Sequence, residues 1–228
     1  MNSPVYLRQV RSYVRRQARF TPGQKQALTE LWPQYGLELT EQPLDYEKVF
    51  KRQAPLTLEI GFGMGTSLLE MAKAAPQKDF IGIEIHNPGV ASLMRNLQEQ
   101  SIANVRIFKV DAHDVLNSCI LDDSLSEVLL FFPDPWPKKR HHKRRIVQAA
   151  FVELIYRKLK TGGIFHLATD WQAYAEHMLE VMSEAQGFVN SAGVGLYAER
   201  PAHRPLTKFE ARGQKLGHGV WDLIFAKN

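Results

Sequence analysis

The 228-residue chain has a single cysteine and no long apolar run, and these shortages exclude several kinds of protein. With only Cys119, it can form no internal disulfide bond and no cysteine-built metal site, which fits a reducing compartment. Its longest apolar stretches have five or six residues, whereas a membrane-spanning helix needs roughly 20. We therefore predict a cytoplasmic protein with no membrane segment and no bound metal.

Acidic residues are missing from the first 20 positions, although this segment contains five arginines between Arg8 and Arg19. The whole chain has a net charge of +5 and a pI near 9.3. Clustered positive charge favours a polyanionic partner such as nucleic acid. A mitochondrial transit peptide is the alternative interpretation of an arginine-rich start. We predict a basic arm and a short capping segment over residues 1–50, followed by one main domain over residues 51–228.

From residue 55 onward, short β-branched runs alternate with longer segments of helical spacing. This alternation predicts a mostly parallel sheet covered by helices on both faces. Gly162-Gly163 and Gly187 follow helical segments and indicate helix ends. The predicted strands are 56–60, 80–85, 105–110, 128–132, 164–168 and, as an edge strand, 220–226. The predicted helices are 67–75, 90–100, 145–159 and 171–186.

A glycine-rich turn follows the first predicted strand. Three alternating glycines, Gly61, Gly63 and Gly65, let the backbone approach a ligand closely. A nicotinamide dinucleotide site has its third glycine one residue later, and a glutamate would repel its pyrophosphate. Glu59, two residues before the first glycine, suits a cation such as an ammonium group beside a sulfonium. A structural ion pair is the alternative role for Glu59.

Two further acids end the next two predicted strands. Glu84 is placed to accept hydrogen bonds from the hydroxyls of a ribose, and Asp111 from an adenine amine. Asp111 is alternatively the N-cap of a short helix. Adenosine with a positively charged amino-acid tail is S-adenosylmethionine, so the three acids together predict that cofactor.

The segment from Phe131 to Lys138 has the sequence Phe-Phe-Pro-Asp-Pro-Trp-Pro-Lys. Its three prolines restrict the backbone around Asp134, Trp136 and Lys138, as in a segment built to present side chains. A basic run follows directly, and we expect it to begin the next helix and to bind the phosphates of a nucleic acid. A solvated helix face is the alternative. This run is Arg140, His141, His142, Lys143, Arg144 and Arg145.

These motifs resemble those of the bacterial tRNA (guanine-N7)-methyltransferases, a family of class I S-adenosylmethionine-dependent methyltransferases. The resemblance covers nearly the whole chain. It rests on Glu59 to Gly63, Gly82-Ile83-Glu84, Phe132 to Lys138, Ala168-Thr169-Asp170 and Thr207-Lys208-Phe209-Glu210. The fold it implies is a doubly wound α/β, mostly parallel seven-stranded Rossmann-like sheet with helices on both faces and an antiparallel edge strand.

The resemblance also implies methyl transfer to N7 of the variable-loop guanine, position 46, of tRNA, with S-adenosylhomocysteine as the other product. It assigns cofactor contacts to Glu59, Glu84, Asp111 and Asp134, besides the three glycines. Substrate contacts fall to Lys138, Asp170, Thr207, Lys208, Phe209 and Glu210, and the basic run from Arg140 to Arg145 would contact RNA. The protein would act as a monomer or homodimer with tRNA as its partner, and no obligate protein partner is expected.

The chemistry of guanine N7 defines what the residues must do. N7 has an in-plane lone pair and carries no proton at neutral pH, so no general base is needed. Asp134 is expected to stabilise positive charge that develops on the purine, with Asp170 as the second candidate. Trp136 stacks on the guanine or fills space between helix and sheet. By their spacing alone, Thr207 and Glu210 predict the capping box of a helix.

Three other functions compete with this interpretation. A methyltransferase for an exocyclic amine of DNA or RNA has an acid or amide, two prolines and an aromatic ring in its substrate motif. A non-catalytic RNA-binding protein with a methyltransferase-like fold is the second alternative, because fold does not fix function. Glu59, the glycines and Asp134 argue against it. A nicotinamide-dependent dehydrogenase is disfavoured by the glycine spacing.

Overall fold

The computed structural model describes Ser12 and residues 20–202, 204–206, 210 and 219–228. Seven α-helices are assigned in this part of the chain: α1 (Pro22–Tyr35), α2 (Tyr46–Phe50), α3 (Thr66–Ala74), α4 (Asn87–Glu99), α5 (Ala112–Ser118), α6 (Ala149–Lys158) and α7 (Gln172–Glu184). The strands are β1 (Gly36–Leu37), β2 (Leu56–Ile60), β3 (Asp79–Ile83), β4 (Val105–Phe108), β5 (Leu125–Phe131), β6 (Leu159–Thr169), β7 (Phe188–Asn190) and β8 (Trp221–Lys227). A 3₁₀ helix spans Lys139–Arg144.

Within the described residues, the eight strands form one sheet in the order β1-β4-β3-β2-β5-β6-β8-β7. The pairs from β1 to β6 are parallel, whereas β8 runs antiparallel to β6 and β7. This is the doubly wound, mostly parallel sheet that the alternation predicted, and the fold class is confirmed. The described sheet has eight strands where the resemblance implied seven, and the predicted edge strand β8 is not the edge because β7 pairs with it.

The sheet is buried on both faces because its strands have apolar residues at successive positions. In β5, Val128 and Leu130 join one core, whereas Leu129 and Phe131 join the other. The first core contains residues from α5, α6 and α7, and the second contains residues from α1, α3 and α4. Alternating side-chain direction along a strand thus builds two cores from one continuous apolar run.

The predicted helices correspond to α3, α4, α6 and α7, but two details were wrong. The basic run does not begin α6; it forms the separate 3₁₀ helix, and α6 begins four residues after Arg145. Gly162-Gly163 does not end a helix, because α6 ends at Lys158 and the glycines lie inside β6. Gly162 has φ +75°, and the register between β5 and β6 shifts near Leu125. The glycines therefore allow the irregular backbone at the start of β6.

Residues 22–50 form α1, β1 and α2. Leu31 and Tyr35 of α1 are buried in the second core, and β1 extends the sheet beside β4. The capping segment expected before residue 50 is thus packed onto the sheet. The boundary near residue 50 stays a prediction. In the described part of the chain, no helix has the length and apolarity to cross a membrane.

Candidate active site

The candidate site lies where the order of the sheet reverses. From β2 the chain adds β3 and β4 on one side, and then returns to place β5 on the other side of β2. In open α/β sheets, ligands bind in the crevice outside the carboxyl ends of the strands at such a reversal. The parallel register brings Glu59, near the end of β2, and the predicted acids after β3, β4, β5 and β6 to this one edge.

The glycine-rich turn leaves β2 with its backbone in the left-handed region. Gly61 has φ +75° and Gly63 has φ +58°, values that residues other than glycine rarely adopt. A Cβ added at either position would meet no described atom within 4 Å, so the turn has open space beside it. By contrast, the turn is packed on its other side, where a Cβ at Gly89 of α4 would lie 2.0 Å from the Gly63 oxygen.

Glu59 lies at the end of β2 and is 2% exposed. Its Oε2 atom has no hydrogen-bond partner among the described residues. Burial, and secondarily the charge of Glu84, raises the pKa of Glu59 to about 8. The structural ion pair considered for Glu59 has no counterpart in the described ion pairs. A buried carboxyl group of this kind is a typical feature of a binding site.

Glu84 and Asp111 both organise the backbone around the site. Glu84 Oε2 accepts a hydrogen bond of 2.8 Å from the Gly63 amide, and its Oε1 accepts from Ile85 (2.7 Å) and His86 (2.9 Å). Glu84 therefore ties the end of β3 to the glycine turn. Asp111 accepts from the His113 amide at 2.9 Å and is the N-cap of α5. Asp111 therefore has the capping role that was considered as its alternative. Its carboxylate can still accept a further hydrogen bond through Oδ2.

The Asp134 loop (residues 132–138) leaves β5 beside the end of β6. Two of its bulky residues have positive φ angles, Phe132 (53°) and Trp136 (46°), a conformation that persists only when the surroundings enforce it. The Phe132 amide donates to the Ala168 oxygen at 2.8 Å, and the Pro135 oxygen accepts from Arg145 Nε at 3.0 Å. Asp134 itself is exposed at the sheet edge.

The basic run divides into exposed cations and one buried arginine. Arg140 and Lys143 are exposed, and Arg144, His141 and His142 are half-buried. Desolvation, and then the surrounding cations, lowers the pKa of His141.

Arg145 does not fit the expected RNA contact, because its side chain is 4% exposed and serves the protein interior. Its guanidinium holds Pro135, lies 4.9 Å from the Tyr174 ring centroid and reaches the Ala173 oxygen.

Trp136 is half-buried and already has neighbours on its ring. The Arg144 guanidinium lies 4.4 Å from the ring centroid, and His141 approaches it edge-on at 5.8 Å between centroids. The indole N–H donates to the Ser12 oxygen at 3.1 Å. Arg144 therefore covers one face of the indole.

The predicted substrate residues fall into three groups. Lys138 and Asp170 are exposed at the edge of the sheet that holds the site. Glu210 is 1% exposed, and both of its carboxylate oxygens accept hydrogen bonds from Arg204. Thr207, Lys208 and Phe209 lie outside the described residues, as does the arm before residue 20 except Ser12.

Three residues near the site were not anticipated: Arg204, Asp222 and His166. Each is at most 2% exposed, and they form a connected network with Glu210. A usable signal did exist for two of them, since His166 and Asp222 interrupt otherwise apolar strands. Buried polar groups at such positions need partners. Nothing local in the sequence points to Arg204.

Similar folds occur in solved methyltransferase structures. The 16S rRNA methyltransferase KamB aligns with a TM-score of 0.59 and 12% identity, over 82% of this chain and 95% of that one. A putative methyltransferase from Streptococcus mutans, solved in complex with SAH, aligns with a TM-score of 0.51 and 11% identity, over 83% and 99%. At identities this low the likeness shows the fold alone, which is the Rossmann-like fold of these proteins.

Sequence relatives define the family more narrowly. Residues 53–223 match the family model described as "Putative methyltransferase". The tRNA (guanine-N(7)-)-methyltransferase of Shewanella pealeana is 59% identical over 222 residues, which are 97% of this chain and 94% of that protein. The protein of the same name from Pseudomonas putida is 58% identical over 96% of this chain and 92% of its own length. The chain belongs to the tRNA (guanine-N(7)-)-methyltransferase family, as the resemblance of its motifs predicted.

Proposed function

We propose that this protein transfers a methyl group from S-adenosylmethionine to N7 of a guanine in tRNA, and that the guanine is the one at position 46 in the variable loop. The observation that carries the proposal is the 58–59% identity, over 96–97% of the chain, to proteins named for this reaction. We further propose that it works in the cytoplasm as a monomer or homodimer.

The residues at the ends of β2 and β3 fit this cofactor. The Glu59 carboxyl is buried with one oxygen unpartnered among the described residues, which suits an ammonium group as the missing partner. The open space beside Gly61 and Gly63 suits a bulky ligand that approaches the backbone. When bound, S-adenosylmethionine supplies a methyl group on a positively charged sulfur.

Each acid then has a separate task. Glu59 holds the ammonium group, and it must release its own proton to do so near neutral pH, given a pKa of about 8 in the free protein. Glu84 keeps the glycine turn in place through Gly63 and has one lone-pair site left, on Oε2, to accept a hydrogen bond from a ribose hydroxyl. Asp111 caps α5 and accepts from the adenine amine with its second oxygen.

Asp134 acts on the guanine without accepting a proton. Guanine N7 uses its own lone pair to form the new bond to carbon while the bond from that carbon to sulfur breaks, so the positive charge moves from sulfur to the purine. A fixed carboxylate near the base stabilises this charge in the transition state. The enforced φ angles at Phe132 and Trp136 keep the loop rigid, and rigid alignment contributes further to the rate.

The exposed cations around the Asp134 loop are the proposed tRNA contacts. Lys138 and the 3₁₀ helix that follows it concentrate positive charge immediately beside Asp134. Phosphate contacts of this type position the RNA and give binding a strong salt dependence. We exclude Arg145 from this surface because it is buried. The other proposed cationic contacts are Arg140, His141, His142, Lys143 and Arg144. Asp170 and the segment Thr207-Lys208-Phe209 stay proposed substrate contacts.

Methylation of defined tRNA transcripts tests the function. Purified protein is incubated with labelled S-adenosylmethionine and an unmodified tRNA transcript, and with a transcript in which guanine 46 is replaced by adenine. Nucleoside analysis should find N7-methylguanosine in the first product only. N7-methylguanosine in both products would refute the position, and a methyl group on an exocyclic amine would favour the rival methyltransferase class.

Cofactor binding is measured on the same preparation by titration calorimetry. Binding of the cofactor without any transfer to bulk tRNA would instead favour the non-catalytic RNA-binding protein. Glu59→Gln is the matched variant, and it should bind the cofactor more weakly than the wild type whether or not tRNA is present.

A further inference from the structure

A buried charge network lies beside the start of the Asp134 loop. Arg204 is 0% exposed and faces two carboxylates that are also buried. Its Nη1 and Nη2 atoms lie 2.7 and 2.8 Å from the two carboxylate oxygens of Glu210. Its Nη2 and Nε atoms lie 2.9 and 2.7 Å from the two carboxylate oxygens of Asp222. Asp222 Oδ1 is in turn 2.7 Å from His166 Nε2.

This network connects elements that are distant in sequence. His166 lies on β6, Asp222 lies opposite Ala168 on β8, and Arg204 and Glu210 belong to the segment before β8. Burial disfavours the charge on Arg204, but the hydrogen bonds and charges of Glu210 and Asp222 outweigh it and raise the pKa of Arg204. Buried ion networks of this kind contribute little net stability compared with apolar residues. Their presence beside a site points to a role in geometry.

The Arg204 guanidinium contacts the two residues that lead into the loop. Its central carbon lies 5.9 Å from the ring centroid of Phe131 and 5.7 Å from that of Phe132. Phe132 has the positive φ of 53° and directly precedes Pro133-Asp134. A cation held within about 6 Å of an aromatic ring is attracted to it and fixes its orientation. Arg145 holds the next part of the loop through Pro135, so two buried arginines secure both sides of Asp134.

We propose that Arg204 is a positioning residue that fixes the Asp134 loop for methyl transfer, and that Glu210 supports the reaction by orienting Arg204. This inference rests on the proposed function. Both carboxylate oxygens of Glu210 accept hydrogen bonds from Arg204, and the pair is buried. The Glu210 carboxylate therefore lies away from the exposed side of the site, where Asp134 is. Glu210 would therefore contribute to the rate through the loop, and it would not recognise the guanine.

Single-turnover kinetics of Arg204→Met, Glu210→Gln and the double variant test the inference. Misplacement of reacting groups by about 1 Å costs on the order of a hundredfold in rate, and we expect losses of about that size in both single variants. The Kd values for tRNA and cofactor should stay within about threefold of wild type. The double variant should be no slower than Arg204→Met, because both changes disturb one element. Losses that multiply, or rates that stay at the wild-type value, would overturn the inference.

A substrate analogue separates positioning from recognition. A tRNA with inosine at the target position lacks the exocyclic amine of guanine. If Glu210 acts through Arg204, Glu210→Gln should slow transfer to both bases by the same factor. If Glu210 contacts the guanine, the variant should lose its discrimination between the two bases and bind tRNA more weakly, which would overturn the proposal.

Controls keep folding and function separate from positioning. Circular dichroism and thermal unfolding show whether each variant is folded, and Arg204→Lys replaces Arg204→Met if the latter does not fold. The lysine keeps the charge but loses the bidentate geometry, so we expect the same loss of rate. An inactive wild-type protein would refute the proposed function itself. An active wild type with equally active, folded variants would refute only the positioning role.

Discussion

At the carboxyl ends of β2 and β3, hydrogen bonds from backbone amides to the Glu84 side chain fix the shape of the site. Glu84 accepts from the amides of Gly63, Ile85 and His86, and the glycine turn rests on α4. At the end of β5, by contrast, two buried arginines hold the Asp134 loop, and Arg204 is 70 residues from Asp134 in the sequence. The first arrangement follows from a short motif, whereas the second depends on the completed fold. Substitutions in the two regions should therefore have different effects.

The largest effect should come from Asp134, whose carboxylate is proposed to stabilise charge on the purine. Asp134→Asn removes the charge and keeps the shape. We expect the single-turnover rate constant to fall by about 10²- to 10³-fold, the magnitude found for loss of one electrostatic group in an active site. The tRNA dissociation constant, measured by filter binding, should change little. A rate near the wild-type value would show that the charge of Asp134 is not used.

Glu59→Gln should have the largest effect at the cofactor side of the site. Loss of a buried charge partner weakens binding on the order of a hundredfold. Because the pKa of Glu59 is raised to about 8, the wild type must lose a proton to form the carboxylate, so its advantage over the variant should grow from pH 6 to pH 9. Calorimetry at several pH values measures this difference. A constant ratio of the two affinities would contradict the role of Glu59.

The same variant should alter the pH dependence of folding. The Glu59 pKa is higher in the folded protein, about 8, than its ordinary value of 4.5, so the stability it contributes is fully present below 4.5 and is lost as pH rises through 8. Each pH unit in this window corresponds to at most about 1.4 kcal/mol. Without cofactor, the wild type should lose at least about 2 kcal/mol relative to Glu59→Gln between pH 5 and pH 8. Urea unfolding at both pH values measures the difference, and parallel pH curves would contradict it.

Adjacent arginines in the basic run give a matched test within one segment. Arg145→Met removes the donor that Pro135 and Ala173 share, and we expect a loss of about 2 kcal/mol in the free energy of unfolding. Arg144→Met should leave this free energy within about 0.5 kcal/mol, because Arg144 is half-buried at the surface. Urea unfolding measures both values. Equal losses would mean that Arg145 does not support the loop.

The smallest effects should come from single exposed cations. Arg140→Ala and Lys143→Ala each remove one charge beside the site. If each contacts one phosphate, the slope of log K against log salt for tRNA binding should fall by about 0.7 to 0.9 per substitution. Lys25→Ala on the exposed side of α1 is the control, and it should leave the slope unchanged. An unchanged slope in Arg140→Ala and Lys143→Ala would mean that these two residues do not contact tRNA phosphates.

The sequence was sufficient for the parts of the fold that are set locally. Apolar strands and the glycine turn are encoded in continuous segments, so β2 to β6 and the acids after them were predicted near their observed positions. α1 was missed although Thr21-Pro22-Gly23-Gln24 has the signals of a helix start, with a proline at the first turn and a capping box. The helix begins at Pro22, just after the arginine-rich first 20 residues.

Other features depended on contacts that only the folded chain creates. Arg145 looks like its cationic neighbours in the sequence, and it is buried because Pro135 and Tyr174 meet there. The partners of Arg204 come from two separate segments, and no spacing rule connects them. The loop around Asp134 was therefore predictable as a motif, but the means by which it is held was not.

Nucleoside analysis of cellular tRNA tests the central claim most directly. Bacteria that lack their own tRNA (guanine-N7)-methyltransferase receive either the wild-type chain or Asp134→Asn, expressed at equal levels. We predict that position 46 regains N7-methylguanosine with the wild type and stays almost unmodified with the variant. Full modification by both proteins would contradict the role of Asp134, and its absence with the wild type would contradict the proposed function.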